Sequence, residues 1–112
     1  MSRKYKLSAD GQPELCDDLM EWAAWFENTE KRRVAFDDLG SGVEVCTVFL
    51  GLDHSFTLGY PPVLWETLVF GGPLDGEMER YSSRQEAEAG HREMVDRAKK
   101  AADAGQPEPE GP

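Results

Sequence analysis

Six side chains in the middle and the C-terminal part of the sequence are of types that could do chemistry. Carboxylates and imidazoles can act as general bases or bind metals, a guanidinium can bind an anion, and a phenol can stack on a ring. The six residues are Asp53, His54, Glu66, Arg80, Tyr81 and His91. We predict that they line one ligand-binding pocket, in which Arg80 meets an anionic group.

Glu66 is the most informative of the six because it interrupts residues 63–72, a run that is apolar on both faces. Such a run is typical of a central strand in a sheet. A carboxylate in this position must be paired, exposed or functional, since burying an unpaired charge is costly. Arg80, on the next predicted strand, is a candidate partner across the strands. A structural ion pair and a pocket acid both fit the sequence.

Asp53 and the two histidines each have a structural interpretation beside the functional one. Asp53 and His54 follow a predicted buried strand. Loops at such places often carry function, but the same residue types also cap turns. His91 lies between Ala87 and Met94 on the inward face of the predicted last helix. A lone histidine on such a face is more often hydrogen-bonded and structural than reactive.

Sequence motifs give little support for catalysis. The chain contains no P-loop, no dinucleotide-binding glycine pattern, no nucleophile elbow and no HExxH motif. The candidate carboxylates and imidazoles lack the close spacing of typical metal ligands, so we predict no metal and no other cofactor. A binding protein is therefore favoured over an enzyme. The alternative is a small hydrolase with Glu66 or His54 as its general base, with or without a metal.

The composition limits the partners and the compartment. The chain has 22 acidic and 12 basic residues and a formal charge of −10, which argues against binding to bulk nucleic acid. No apolar run reaches the length of about 18 residues that a membrane helix needs, and no apolar segment of a secretion signal follows the basic start. Cys16 and Cys46 are isolated, which indicates reduced thiols in a cytoplasm.

The candidate residues must be positioned by the elements that the apolar spacing predicts. Residues 1–12 are predicted to be a loose lead-in. A helix is predicted to begin at Pro13 and to bury the stripe Leu15, Leu19, Trp22 and Phe26. Strands are predicted at 31–38, from alternating residues, at 43–50 and 63–72, from runs apolar on both faces, and at 77–81. A capping box at Ser82 or Ser83 begins the last helix, Gly105 ends it, and residues 106–112 form a disordered tail.

These elements predict an α+β fold, one domain over residues 13–105 with a four-stranded antiparallel sheet flanked by an N-terminal and a C-terminal helix. If both helices share one sheet face, the other face exposes apolar residues from the second and third strands. An exposed apolar face usually binds a partner. A symmetric homodimer is the simplest arrangement that would cover it.

Four blocks of the sequence, in this order, resemble a widespread family of small uncharacterised proteins encoded by tailed bacteriophages and prophages. The blocks are VCTVFLGLDH at 45–54, LWETLVFGG at 64–72, ERYSS at 79–83 and EAEAGH at 86–91. The similarity covers about residues 43 to 95. Cys46, Leu68 and Ser83 stand where the family usually has Ser, Met and Thr, and all six candidate residues lie within the matching blocks.

The resemblance implies a phage origin and a location in the host cytoplasm, and it implies no particular activity. By analogy with other small phage proteins that act on the host, we expect a non-enzymatic accessory protein that binds a host protein or a small anionic ligand. A nucleotide-type defence signal is one candidate ligand. A structural or assembly protein that uses the apolar sheet face as its interface is the remaining alternative.

Overall fold

The computed structural model describes residues 3–55 and 61–104. In chain order the elements are β1 (Tyr5–Leu7), β2 (Pro13–Leu15), α1 (Leu19–Phe26), α2 (Thr29–Arg32), β3 (Arg33–Gly40), β4 (Val43–Phe49), β5 (Trp65–Phe70), β6 (Met78–Tyr81) and α3 (Arg84–Ala104). The predicted tail at 106–112 lies outside the described residues. No helix in the described ranges is long and apolar enough to cross a membrane.

The strands β3 to β6 form one antiparallel sheet in which neighbours along the chain are also neighbours in space. The predicted α+β fold with a four-stranded antiparallel sheet is therefore confirmed. Alternate residues of β4 and β5 are buried, because successive side chains of a strand point to opposite faces. The buried face lies under α3, whose inward residues are Ala87, His91, Met94 and Ala98.

Two apolar clusters make up the core on this face. One contains Phe49, Leu64, Trp65 and Ala87 together with Tyr5 of β1. The other joins three valines of the sheet, Val43, Val45 and Val69, to Met94 and Ala98 of α3. Burying a side chain such as Phe or Met contributes about 1.5–3 kcal/mol, so these contacts fix α3 on the sheet.

The predicted start of the first helix at Pro13 is wrong. Pro13 lies in β2, and the helix begins at Leu19 because the carboxylate of Asp18 accepts a hydrogen bond from Glu21 N at 3.0 Å as its N-cap. The predicted buried stripe is also wrong at its start, since Leu15 belongs to β2 and Leu19 is 59% exposed. Trp22 and Phe26 are half-buried.

The residues predicted to be a lead-in contain a strand that belongs to the fold. Tyr5–Leu7 pairs antiparallel with Pro13–Leu15, and Tyr5 is buried. The indole N–H of Trp22 donates to the carbonyl oxygens of Tyr5 (3.0 Å) and Gly51 (3.2 Å). These bonds hold the N-terminal hairpin and α1 at the end of the sheet where β4 ends.

The predicted start of the last helix is confirmed. Ser83 Oγ accepts a hydrogen bond from Glu86 N at 3.0 Å, and Glu86 Oε1 accepts one from Ser82 N at 3.3 Å. These two bonds satisfy backbone N–H groups that have no partner inside the helix. The capping fixes the position at which α3 meets the sheet, and therefore the position of Arg84 and of His91 two turns later.

Candidate functional site

The six predicted site residues do not form one pocket. Glu66 and Arg80 are directly opposed in the sheet, whereas their neighbours Thr67 and Tyr81 point to the other face. His91, a residue of α3, packs against that other face and bonds Thr47. Two successive residues of a strand cannot line the same face. The structure therefore separates the predicted residues into three sets: Glu66 with Arg80 on one sheet face, Tyr81 and His91 on the other, and Asp53 with His54 in the loop after β4.

Glu66 and Arg80 form an ion pair across the two strands. Arg80 Nε lies 3.1 Å from Glu66 Oε2, and the Glu66 side chain is 17% exposed against 34% for Arg80. Of the two interpretations that the sequence allows for Glu66, the cross-strand ion pair is the one that the contacts show. A pair with this exposure contributes about 0.2–1 kcal/mol.

His91 is the centre of a chain of hydrogen bonds, the His91 group, that also contains Asp37, Thr47 and Thr67. His91 Nε2 lies 2.7 Å from Asp37 Oδ2, His91 Nδ1 lies 2.7 Å from Thr47 Oγ1, and Thr47 also bonds the hydroxyl of Thr67. A carboxylate can only accept, so Nε2 carries a proton, and in a neutral ring Nδ1 accepts the proton of Thr47. Thr67 can then donate to Thr47, which satisfies every member of the chain.

This chain resembles a hydroxyl–imidazole–carboxylate relay, but its surroundings do not suit nucleophilic catalysis. Thr47 and Thr67 are fully buried, and His91 is 4% exposed. A nucleophile must reach the reacting carbon of a substrate, and the hydroxyl of Thr47 is sealed between the sheet and α3. The group therefore fits the structural interpretation of His91.

Tyr81 lies beside this group and is packed against α3. A Cβ atom at Gly90 would stand 2.3 Å from the Tyr81 hydroxyl oxygen, so only glycine leaves room for the phenol there. The hydroxyl is buried and has no hydrogen-bond partner among the described residues. Burial raises the pKa of Tyr81, and the nearby Thr67 side chain offsets part of this increase.

Asp53 and His54 organise the loop that follows β4. Asp53 Oδ1 accepts hydrogen bonds from Ser55 N (2.8 Å) and Val63 N (2.9 Å), which joins the two sides of the loop. Burial acts to raise the pKa of Asp53, but the hydrogen bonds from these two backbone N–H groups, together with smaller contributions from the Ser55 side chain and His54, lower the pKa below its ordinary value. His54 Nδ1 donates to Leu52 O at 2.8 Å. The turn interpretation accounts for both residues.

The described residues contain no group of three or more His, Cys, Asp or Glu side chains placed to hold a metal ion. Of the two general-base candidates of the hydrolase hypothesis, Glu66 is paired with Arg80, whereas His54, among the described residues, bonds only the carbonyl of Leu52, through Nδ1. Both cysteines are free thiols, and burial is the main cause that raises the pKa of Cys46.

The sheet face opposite α3 carries an apolar row across all four strands. The register places Phe36, Cys46, Leu68 and Met78 side by side. Phe36 and Met78 at the two ends are 41% and 42% exposed. We call the face that carries this row the open face. The row is flanked on one side by Arg33, Val48, Glu66 and Arg80, and on the other by Asp38, Glu44 and Phe70.

A cleft that the sequence interpretation missed lies at the N-terminal hairpin. It has a volume of about 460 Å³. It is lined by Lys6, Leu7, Ser8, Ala9, Gly11, Glu14, Trp25, Lys31 and Arg84. The three cations come from β1, α2 and the first residue of α3, so no local motif reveals them. The sequence contains one signal for the first strand of this hairpin. The apolar residues Tyr5 and Leu7 alternate with Lys6, which is typical of a strand.

Comparisons with known proteins add no relative. A scan against protein-family models, a search of curated proteins and a search of solved structures each found no match. The open face and the cleft are therefore the two features of the described residues from which a function can be argued.

Proposed function

We propose that this chain is a small phage-encoded accessory protein that acts by binding in the host cytoplasm, and that it works as a homodimer joined through the open face. The apolar row from Phe36 to Met78, which no described residue covers, carries the homodimer, and the phage origin and host location rest on the resemblance of the four sequence blocks. Soluble proteins rarely leave a contiguous apolar patch open unless it binds a partner. The hydroxyl of Thr47 in the His91 group is fully buried and cannot reach a substrate, which supports binding rather than catalysis.

The charges on the open face favour a second copy as the occupant. Arg33 stands on one side of the apolar row, beside the ion pair of Glu66 and Arg80, while Asp38 and Glu44 stand on the other. A two-fold axis along the row reverses the strand direction of one copy, so Arg33 of each copy faces Asp38 of the other. Opposite charges then meet on both sides of a shared apolar centre, as an isologous interface requires.

The test is the oligomeric state measured by sedimentation velocity between about 1 and 100 µM, the range expected for a small interface of this kind. Met78→Glu places a charge on the apolar row, and we expect this variant to be a monomer. Met20→Glu makes the same substitution at a side chain of α1 that is 77% exposed and away from the face, so it should remain a dimer. A wild-type chain that is monomeric throughout overturns the homodimer.

Cys46 supplies a probe of the same interface without any substitution. It lies in the apolar row and is half-buried, whereas Cys16 is buried. If the open faces pair, alkylation of Cys46 by a maleimide slows as the protein concentration passes through the dimer range, and Cys16 stays protected throughout. An alkylation rate at Cys46 that does not depend on concentration contradicts pairing through this face.

A further inference from the structure

We infer that the cleft lined by Lys6, Lys31, Arg84 and Trp25 binds an organic phosphate of mononucleotide size. The cations would hold the phosphate, and the tryptophan would contact the ring of the ligand. The cleft lies at the N-terminal hairpin, apart from the apolar row of the open face. This inference therefore does not depend on the homodimer.

The charge of the lining is opposite to that of the chain. Three basic side chains and one acidic side chain, Glu14, line the cleft, in a chain of formal charge −10. The neighbouring carboxylates of Glu21 and Glu88 are not part of the lining. They bind Lys6 and Arg84, respectively. Counted with these partners and Glu14, the three cations carry no excess of positive charge, so the cleft must attract a phosphate through donor groups that the partners leave available.

Two of the cations have donors available for a phosphate. Arg84 donates to Glu88 through Nε at 3.1 Å, and its two terminal nitrogens make no hydrogen bond among the described residues. The ammonium of Lys31 makes no ion pair with any described residue. A guanidinium fork and an ammonium together are a common recognition set for a phosphate group.

The hairpin turn positions Arg84. Gly11 has a φ of +84°, and a Cβ atom there would stand 3.1 Å from Arg84 Nη1, so the guanidinium rests against the backbone of the turn. Hydrogen bonds from Ser8 N to Gln12 O (2.8 Å) and from Gly11 N to Ser8 O (2.9 Å) close this turn. A preorganised cation loses less side-chain entropy when a ligand binds.

Trp25 gives the cleft an apolar wall next to these charges. Its ring is held edge-on against Phe49, with centroids 5.7 Å apart and an interplanar angle of 83°. A volume of about 460 Å³ falls within the usual range for small-molecule sites. Cations beside a fixed aromatic ring suit a ligand that carries both a phosphate and a flat ring, because such a ligand contacts both features at once.

The experiment is isothermal titration of the full chain with AMP, GMP, CMP and UMP, and with ribose 5-phosphate, adenosine and inorganic phosphate as partial ligands. We expect at least one mononucleotide to bind, and each partial ligand to bind at least tenfold more weakly. If inorganic phosphate binds as tightly as the mononucleotides, the role of Trp25 is overturned. No heat of binding from any mononucleotide at about 1 mM, the weak limit for a specific small ligand, overturns the inference.

Variants locate the binding in the cleft. Lys31→Met and Arg84→Met each remove a cation and keep the apolar stem, and we expect each to weaken binding about tenfold. Lys99→Met and Arg92→Met make the same changes at exposed positions of α3 outside the cleft and should leave binding unchanged. Thermal melts identify any variant that fails to fold. Equal affinities in all four folded variants would place the nucleotide elsewhere and refute the site.

Discussion

The imidazole of His91 is satisfied on both nitrogens although it lies between a sheet and a helix. Its partners, Asp37 and Thr47, come from two different strands, so the ring ties α3 to β3 and β4. A buried histidine with no remaining donor or acceptor has nothing to offer a ligand. Its contribution must then appear in stability.

We predict that His91→Ala lowers the free energy of unfolding by about 2–4 kcal/mol, because it opens a cavity and leaves the hydroxyl of Thr47 without its partner. Arg92→Ala, at the adjacent exposed position of the same helix, should change it by less than about 0.5 kcal/mol. Urea denaturation followed by circular dichroism measures both. Equal, small effects would contradict a structural role for His91.

Asp53 makes a second prediction, which concerns pH. Its folded-state pKa is lowered below the ordinary value of 3.8. The ionised carboxylate therefore stabilises the fold fully above the ordinary value, and this stabilisation is lost as the pH falls through the folded-state pKa. We expect Asp53→Ala to cost about 1–3 kcal/mol at pH 7, and the difference from wild type to shrink below pH 4. Asp53→Asn keeps an acceptor and should cost less. A difference that is constant down to pH 2 would contradict the charge-based explanation.

At the scale of residues, the sequence indicates neighbours only when they are local. The pairing of Glu66 with Arg80 follows from one predicted hairpin, and the structure contains it. The inward position of His91 follows from helical spacing, and the structure contains that too. The contact of His91 with Asp37 was not predicted, because it spans 54 positions and depends on how α3 crosses the sheet.

At the scale of elements, the turn after β5 is packed against the turn that joins β3 to β4. A Cβ atom at Gly71 would stand 2.0 Å from the carbonyl oxygen of Gly42. Gly71 has a φ of +82° and Gly76 has a φ of +87°, but nothing lies within 4 Å of a Cβ atom at Gly76. The two glycines share a backbone conformation and differ in their surroundings.

This difference gives a matched pair of variants. We predict that Gly76→Ala costs about 1–2 kcal/mol, the penalty of a left-handed backbone for alanine, whereas Gly71→Ala costs a further 1–3 kcal/mol, roughly, because one of the two turns must move. Denaturant midpoints measure the loss of stability in each of the two variants. Equal losses would show that the close approach of the two turns does not matter for stability.

Runs that are apolar on both faces predicted β4 and β5, and a capping box predicted the start of α3, whereas the N-terminal hairpin was not predicted. Its strands have three residues each, which is too short for an independently stable hairpin. Residues 15, 19, 22 and 26 also matched a helical stripe by coincidence. The hairpin is held instead by the distant carbonyl of Gly51, a contact that no local pattern reveals.

At the scale of the whole molecule, the proposed dimer makes a prediction about charge. If Arg33 of one copy faces Asp38 of the other, Arg33→Asp and Asp38→Arg should each weaken the dimer about tenfold, as is common for interfacial charges. The double variant should restore the dissociation constant to within about threefold. Sedimentation equilibrium measures all four chains. Additive weakening in the double variant would exclude the antiparallel arrangement.

The cleft shows why a fold can be predicted from one sequence when its candidate site cannot. The order of strands and helices follows from local patterns, each readable within about ten residues. The lining of the cleft comes from residues 6, 31 and 84, which meet only after the hairpin, α2 and α3 have docked. The predicted site residues stood out by chemical type, and the fold uses most of them for its own stability.

The hydrogen bonds around Gly51 have a consequence for biosynthesis. The carbonyl oxygen of Gly51 accepts from both Tyr5 N and the indole of Trp22. The ribosome makes Tyr5 and Trp22 first, so Tyr5 N must wait for Gly51 to emerge before it finds its acceptor, and the Trp22 indole, which also donates to Tyr5 O, gains its second acceptor only then. The segment that is synthesised first is therefore among the last to be secured, and during translation it remains accessible to chaperones and proteases.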